Sequence, residues 1–558
     1  MKVDTWEAPG KGPWEIESAH FSRPLSRFVQ RPYTDGANRG FRAGAARYGL
    51  LLDYLDWQVV NGFMYLQPVA VGAPKGAMGP PPKPVLWLLA RVHPKLRARI
   101  ALSGRAFAER LWRAELQQWD DVDKPAAISA HLAIQAVDVT ALSDAELADH
   151  IDRCQAHLTK MLYLHHNLTV PSTIAVGDLL AGATEWADVS AGEVLGALQG
   201  TSLVSRGFAA EQLESAGKAI VESDDARAQL SGSASPESVL EALCTDRSAG
   251  AHVRAYLDTV RYRSVGYDPA DANAGELPGM LVRTLRVAVD GSYADKTAAD
   301  GLPRLRAKIP DRHLNEFDDR LAEARLTNRL RDERSAYSDA WASGLARRAL
   351  LEAGRRLSSR GRLGAADHGA HLDAAECRTL LLDGRGPDSN EVASRVAWRQ
   401  TQTVDSAPQF LRAKPAPPPE VGVLPAAARR PVSAFNAVYA HIFNVPDMPN
   451  SETVLRGLPV NVGVYEGPAR VVHDSADFER VQRGDVLVTR MTSPHFNVVL
   501  PLLGAIVTDR GGQLSHAAIV AREYGIPGIV GTREATARIV DGARVRVDGS
   551  SGEVRLLA

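Results

Sequence analysis

The residues best placed to do chemistry lie in one run near the C-terminus, Thr508-Asp-Arg-Gly-Gly-Gln-Leu-Ser-His-Ala-Ala-Ile-Val-Ala-Arg-Glu523. An apolar stretch ends at Thr508. Gly511 and Gly512 then permit backbone conformations closed to other residues, and His516 comes just before a good helix former, Ala517 to about Glu523. That order places an imidazole at a helix N-terminus, where unpaired N–H groups and the positive end of the helix dipole favour an anion. A phosphoryl group on the ring of His516 would be stabilised there. The glycine N–H groups add an anion nest, and Thr508 and Ser515 offer hydroxyls to orient the ring.

Gly511 to Pro527 reads Gly-Gly-Gln-Leu-Ser-His-Ala-Ala-Ile-Val-Ala-Arg-Glu-Tyr-Gly-Ile-Pro. This run resembles the phosphohistidine signature of the swivelling, mobile domain of phosphoenolpyruvate-utilising enzymes and dikinases. Leu455 to Val472 is similar to the opening of that domain, and Gly484-Asp-Val-Leu-Val488 to its next strand. The resemblance implies that His516 receives a phosphoryl group from ATP bound by an ATP-grasp domain and carries it to a second site. Weaker likenesses, in Trp14 to Leu25, Asn61 to Tyr65 and Asp367 to Glu376, are to the helical acceptor region of rifampin phosphotransferases and phenylphosphate-synthase-type enzymes.

Stepping outward, the C-terminal stretch after Ser451 has the short apolar runs and glycine turns of strands: 463–472, 485–489, 505–508, 528–531 and 543–548. A small α/β domain of β/β/α type is expected over 451–558. From about 40 to 400 the apolar spacing is mainly helical. Ser143 with Glu146 and Ser190 with Glu193 are capping boxes, and Ser235-Pro236 is a third helix start. The expected organisation is a mainly helical acceptor-binding region over 1–403, a Pro-rich linker over 404–450 and the swivelling domain over 451–558. Within the helical part Pro74 to Pro84 reads as a surface loop, and 317–357 as one or two arginine-rich helices.

Composition narrows the function classes. A chain of 558 residues exceeds what one core usually supports, and its net charge of −1 makes nucleic acid a poor partner. Cys154, Cys244 and Cys377 are far apart and in no metal-ligand spacing, which fits a reducing cytoplasm; no metal site is expected on this chain. No signal peptide is read at the N-terminus, and no apolar run approaches the roughly 20 residues of a membrane span.

The acceptor side has several candidates. The stripe Leu147, Ile151, Cys154, Leu158, Met161 continues to His165, which should face inward, with His166 on the neighbouring row. Either suits a base that takes a hydroxyl proton. Arg325, Arg329 and Arg334 are candidate phosphate contacts, although a solvated helix face explains such a row equally simply. His20 falls within the acceptor-like stretch. Arg522 is expected to steady the loop, and Phe63, Tyr65, Tyr163 and Trp186 to line a pocket or fill a core.

In the resembling family a pyruvate-binding barrel follows the histidine domain, whereas this sequence stops at Ala558 and leaves no room for an ATP-grasp domain upstream. The expectation is therefore a split phosphotransferase. ATP and Mg2+ would sit on a separate ATP-grasp subunit, and the acceptor would be a small hydroxyl compound, best guessed as a phenol. The alternatives are a split antibiotic phosphotransferase and a non-enzymatic phosphohistidine relay.

Overall fold

The computed structural model describes residues 5–18, 20–74, 76–201, 209–290, 301–443, 448–473, 475–492, 496 and 499–557. Its chain divides into two compact units. One comprises Met1–Asp178, Gly266–Ala272 and Glu333–Asn436; the other comprises Leu179–Val265, Asn273–Asp332 and Ala437–Ala558.

The first unit is mainly helical. Its central helix, α1 (Asp144–Asn167), starts at the expected capping box: Ser143 accepts from the Glu146 N–H while the Glu146 carboxylate accepts from the Ser143 N–H. The predicted stripe from Leu147 to Met161 is buried throughout and shares a core with Ala346, Leu350 and Leu357. The arginine-rich region forms two helices, α2 (Leu314–Ala336), whose residues up to Asp332 belong to the second unit, and α3 (Asp339–Ser359) of the first.

Helical periodicity does not describe the whole of this unit. Strands β1 (Trp14–Ile16), β2 (Leu52–Val60), β3 (Phe63–Ala70) and β4 (Phe410–Leu411) make an antiparallel sheet in the order β2-β3-β1-β4. The Asn61-Gly62 dipeptide between β2 and β3 is a hairpin signal in its own right. Phe63 and Tyr65 belong to the core of this sheet with Trp14 and Ile16, and the Tyr65 hydroxyl donates to the Pro408 carbonyl at 2.8 Å. The 404–450 stretch carries β4 and an 18-residue helix, α4 (Ala426–Phe443), in addition to its prolines.

The second unit ends in the mixed sheet. Strands β5 (Val454–Arg456), β6 (Leu458–Asn461), β7 (Val464–Val472), β8 (Val486–Thr489), β9 (Ala505–Thr508), β10 (Gly528–Val530), β11 (Arg544–Asp548) and β12 (Glu553–Leu556) run in the order β5-β12-β11-β7-β8-β9-β10-β6. The central run β7-β8-β9-β10 is parallel and the flanks are antiparallel. Branched aliphatics from Val471, Val486, Val488, Val507 and Val545 fill its core, as buried parallel strands require. The fold class is as expected: mainly helical, followed by a small α/β domain. Among the described residues no helix is long and apolar enough to cross a membrane.

Candidate active site

In the second unit, β9 ends at Thr508, and the chain turns through Gly511 into helix α5 (His516–Glu523). Gly511 sits at φ +111°, where a side chain is strained, and a Cβ there would lie 2.8 Å from the Ser515 hydroxyl oxygen. Ser515 is the helix N-cap, its side chain accepting from the Ala518 N–H. His516 is therefore the first residue of the helix, half-buried, with its ring at the positive end.

The hydroxyl that meets the ring belongs to Thr492, whose Oγ1 lies 2.9 Å from His516 Nδ1. Thr508 is fully buried and donates to the Arg510 carbonyl at 2.7 Å. Thr492 follows β8, and the parallel pairing of β8 with β9 brings it beside the loop. Gly512 contributes its carbonyl, which accepts from the Ser515 N–H at 3.0 Å.

The loop is anchored from several directions. Arg522 is buried and donates to the Val460 carbonyl at 2.9 Å, the Gln513 carbonyl at 2.8 Å and the Gln513 side-chain oxygen at 2.6 Å. It thus steadies the loop, as its place in the motif suggested. Burial lowers its pKa to about 9, with Arg331 adding to the effect and Glu523 opposing it. Arg331 donates to the Leu514 carbonyl. The Glu523 carboxylate accepts from the Gly200 N–H at 2.9 Å. Arg325, also in this unit, donates at 2.7 Å to the carbonyl of Ala197, the C-cap of a short helix, and Arg329 is half-buried on the same face of α2. The arginine of α2 that reaches the histidine loop is Arg331, which the spacing argument passed over.

In the first unit three of the acceptor candidates come together. His165 Nδ1 lies 2.7 Å from Asp339 Oδ1, the first residue of α3. Arg334 donates to the His165 carbonyl at 2.8 Å and to Thr169 Oγ1 at 2.7 Å. Its contacts here are with backbone and hydroxyl. Burial pushes His165 below its ordinary pKa; Asp339 opposes this, while Arg334 and His20 add to it. His166 is held well below its ordinary value by burial, with His165, Arg334 and His20 acting the same way. Its ring centroid is 4.6 Å from that of Trp57 and 4.7 Å from that of His165.

His20 is half-exposed and lies 3.1 Å from the buried Glu17 carboxylate. Tyr267 meets its ring edge to face with centroids 5.8 Å apart, and Phe21, tilted to His20 at 6.4 Å, meets Tyr33 and Tyr267 edge to face at 5.0 Å and 6.0 Å. Burial raises the Tyr33 pKa well above its ordinary value, and Asp339 is the charge that contributes most. The carboxylate that holds His165 is therefore also next to Tyr33. Asp339, Tyr33 and Tyr267 had no signal in the sequence, because they come from separate segments and share no motif. Of the remaining aromatics, Tyr163 is half-buried with the Arg39 guanidinium 6.0 Å from its ring centroid. Trp186 belongs to the second unit and stacks on His313 at 4.7 Å.

A family model described as "PEP-utilising enzyme, mobile domain" matches residues 481–552. A probable phosphoenolpyruvate synthase of Pyrococcus abyssi is 42% identical over 125 residues, 22% of this chain and 15% of that protein. The rifampicin phosphotransferase of Streptomyces sviceus is 42% identical over 112 residues, 20% of this chain and 13% of that protein. The chondramide synthase cmdD of Chondromyces crocatus is 31% identical over 260 residues, which is 46% of this chain and 7% of that protein. These matches span no more than 15% of any of the three relatives. The stretch 481–552, which holds Thr492, the Gly511 turn and His516, is thus similar to the mobile domain of PEP-utilising enzymes.

Proposed function

We propose that this chain accepts a phosphoryl group on His516 and delivers it to the hydroxyl of a small aromatic acceptor, a phenol or alkylphenol. The overall reaction is ATP, acceptor and water giving aryl phosphate, AMP and phosphate. The reading assigns ATP and Mg2+ to a separate ATP-grasp subunit, with Mg2+ shielding the ATP phosphates there.

The observation that carries the reading is the setting of His516: first residue of a helix in a stretch similar to the PEP-utilising mobile domain, with Nδ1 at 2.9 Å from Thr492 Oγ1. For Nε2 to be the nucleophile, Nδ1 must hold the ring proton and donate it to Thr492 Oγ1. The lone pair of Nε2 is then free to bond phosphorus, and the helix terminus favours the phosphoryl charge.

In the delivery step the acceptor oxygen attacks phosphorus and the P–N bond breaks, its electron pair returning to Nε2 of His516. The hydroxyl proton passes to His165. Burial keeps that imidazole neutral near pH 7, and the hydrogen bond to Asp339 turns Nε2 into the basic nitrogen and stabilises the imidazolium that forms. This is the arrangement of a base held by a carboxylate.

The test combines the chain with an ATP-grasp partner, ATP, Mg2+ and a panel of phenols together with a rifamycin, following AMP and phosphorylated product by 31P NMR. Phenyl phosphates are expected, and His516→Ala should form none. Full product formation by His516→Ala would end the reading. Product from the chain and ATP without a partner would remove the separate ATP-grasp subunit from it.

A further inference from the structure

The helix Lys83–Val92 of the first unit is apolar on both of its sides. On its inner side Leu86 and Ala90 join Leu51, Ile100, Leu424 and Ala428 in a small core. Its outer side carries Val85, Leu88 and Val92, at the three- and four-residue spacing of one stripe, with Trp87 beside them; each is between 46% and 55% exposed. A surface helix turns polar residues outward, and one that is apolar all round is normally covered. Single exposed aliphatics need no explanation. Among the described residues, however, six of the fourteen exposed large apolar side chains fall between Met78 and Leu102, and so they form a patch.

The charge of the same stretch is one-sided. Between Asp56 and Glu109 the sequence holds seven lysines and arginines and no aspartate or glutamate, in a chain whose net charge is −1. Two of these cations are used internally. Arg99 donates to the Asp53 carboxylate at 2.6 Å and to the Ala45 carbonyl at 3.0 Å. Arg91 lies on Trp87, its guanidinium 4.1 Å from the ring centroid, and donates to the Trp87 carbonyl at 2.9 Å and the Val423 carbonyl at 3.2 Å. Lys83 pairs with Glu420 at 2.6 Å, both well exposed. Lys95, Arg97 and Arg105 are exposed on the next helix, Pro94–Ala108, which buries Ile100 in the same core as Ala90 and exposes Leu102.

These features select among coverings. A second copy seated by the same face would set Lys95, Arg97 and Arg105 against themselves. A protein partner is recognised through about one hydrogen bond for every 100–200 Å2 of interface. The stripe of Val85, Leu88 and Val92 offers no polar side chain, and the Arg91 beside it is already committed to carbonyls. A bilayer asks for no such pairing. Aliphatic side chains enter its acyl boundary, tryptophan sits at headgroup level, and lysine and arginine meet anionic headgroups.

We propose that the outer face of Lys83–Val92, flanked by Lys95, Arg97 and Arg105, seats this chain on the surface of an anionic phospholipid bilayer. The helix lies along the boundary rather than across it, since its 10 residues are about half of what a span needs. Attachment is peripheral and reversible, and it weakens as salt screens the headgroups.

The test sediments the full chain with vesicles of phosphatidylcholine alone and of phosphatidylcholine mixed with phosphatidylglycerol. Binding to the anionic vesicles should be at least about tenfold tighter and should fall as sodium chloride is raised. Trp87→Ser combined with Leu88→Ser should abolish it, and Lys95→Gln combined with Arg97→Gln should weaken it by about tenfold or more. All four side chains are exposed, so the far-UV circular dichroism should not change. Val540→Ser, at an exposed aliphatic of the second unit, should leave binding as it is. No preference for anionic vesicles in the wild type, or binding unchanged in the Trp87 and Leu88 variant, would overturn the proposal. A wild-type dimer that this variant returns to monomer, or a complex with an ATP-grasp subunit that it abolishes, would give the face to a protein and overturn it equally.

Discussion

His165 and Asp339 face each other at 2.7 Å, one from the last turn of α1 and the other from the first residue of α3. The two residues are 174 apart in the sequence, and the helices that carry them share a core. Because burial disfavours the imidazolium and Asp339 favours it, the pair is a neutral base whose conjugate acid is partly compensated in advance.

Replacing Asp339 by Asn should lower turnover by about 10²- to 10⁴-fold, the usual scale of base catalysis. The pH profile gives the sign. His165 must be neutral to act, so kcat/KM should rise with pH through its lowered pKa, below about 6.5, and level off above. Asp339 raises that pKa, so the Asn variant should show its acid limb displaced further to lower pH. An acid limb displaced upward would contradict the assignment.

At the other histidine, Thr492→Val removes the hydroxyl 2.9 Å from Nδ1 in exchange for a methyl group. A lost hydrogen bond of about 1 kcal/mol corresponds to roughly five- to tenfold slower phosphorylation of His516. Thr492→Ser should stay near wild type. Phosphohistidine formation, followed by its acid lability, measures both.

Arg522 predicts a stability effect. Its three bonds go to groups that no other donor described above reaches, apart from the loop's own contacts. Arg522→Met would leave buried carbonyls without a partner and should cost about 2–3 kcal/mol in urea unfolding of the full chain. Arg522→Lys, lacking the planar fork, should recover less than half of the loss.

Acid should weaken the fold before carboxylates titrate. His150, His157 and His371 each have their pKa pushed down to about 4, burial being the largest cause in every case. Between about pH 6.5 and about 4 the unfolded chain binds protons that these native imidazoles refuse, so stability rises with pH across that window and is lost as pH falls through it. The urea midpoint should be flat from pH 8 to 7 and fall steadily from pH 6.5 to 4.5. His157→Gln, removing one such group, should shallow the slope.

How much of this was legible in the sequence follows from where the information sits. The histidine loop is a contiguous motif, so the order of strand, glycine turn, N-cap serine and helix could be read directly. The stripe on α1 was equally local and correctly pointed His165 inward. Thr492 escaped because β-pairing, which brings it to the ring, links residues 24 apart. Tyr33, Tyr267 and Asp339 escaped for the same reason at longer range. The four-stranded sheet was missed because β2 and β3 lie within a helical context, and only the Asn61-Gly62 turn signals them. Arg325 has a row of equivalent neighbours on α2, and a pattern of charges cannot tell which arginine meets a carbonyl and which meets the loop.

Most anchors of the histidine loop end on peptide oxygens: Leu514 for Arg331, Val460 and Gln513 for Arg522, Arg510 for Thr508. No substitution at Leu514, Val460 or Arg510 deletes those atoms. The heritable part of the loop's shape is held by the donors, and one of them, Arg331, stands 183 residues upstream of its acceptor. Two chains with the same signature around the histidine could therefore hold it at different angles, and a mutational scan confined to the signature would reach Arg522 but leave Arg331 untouched.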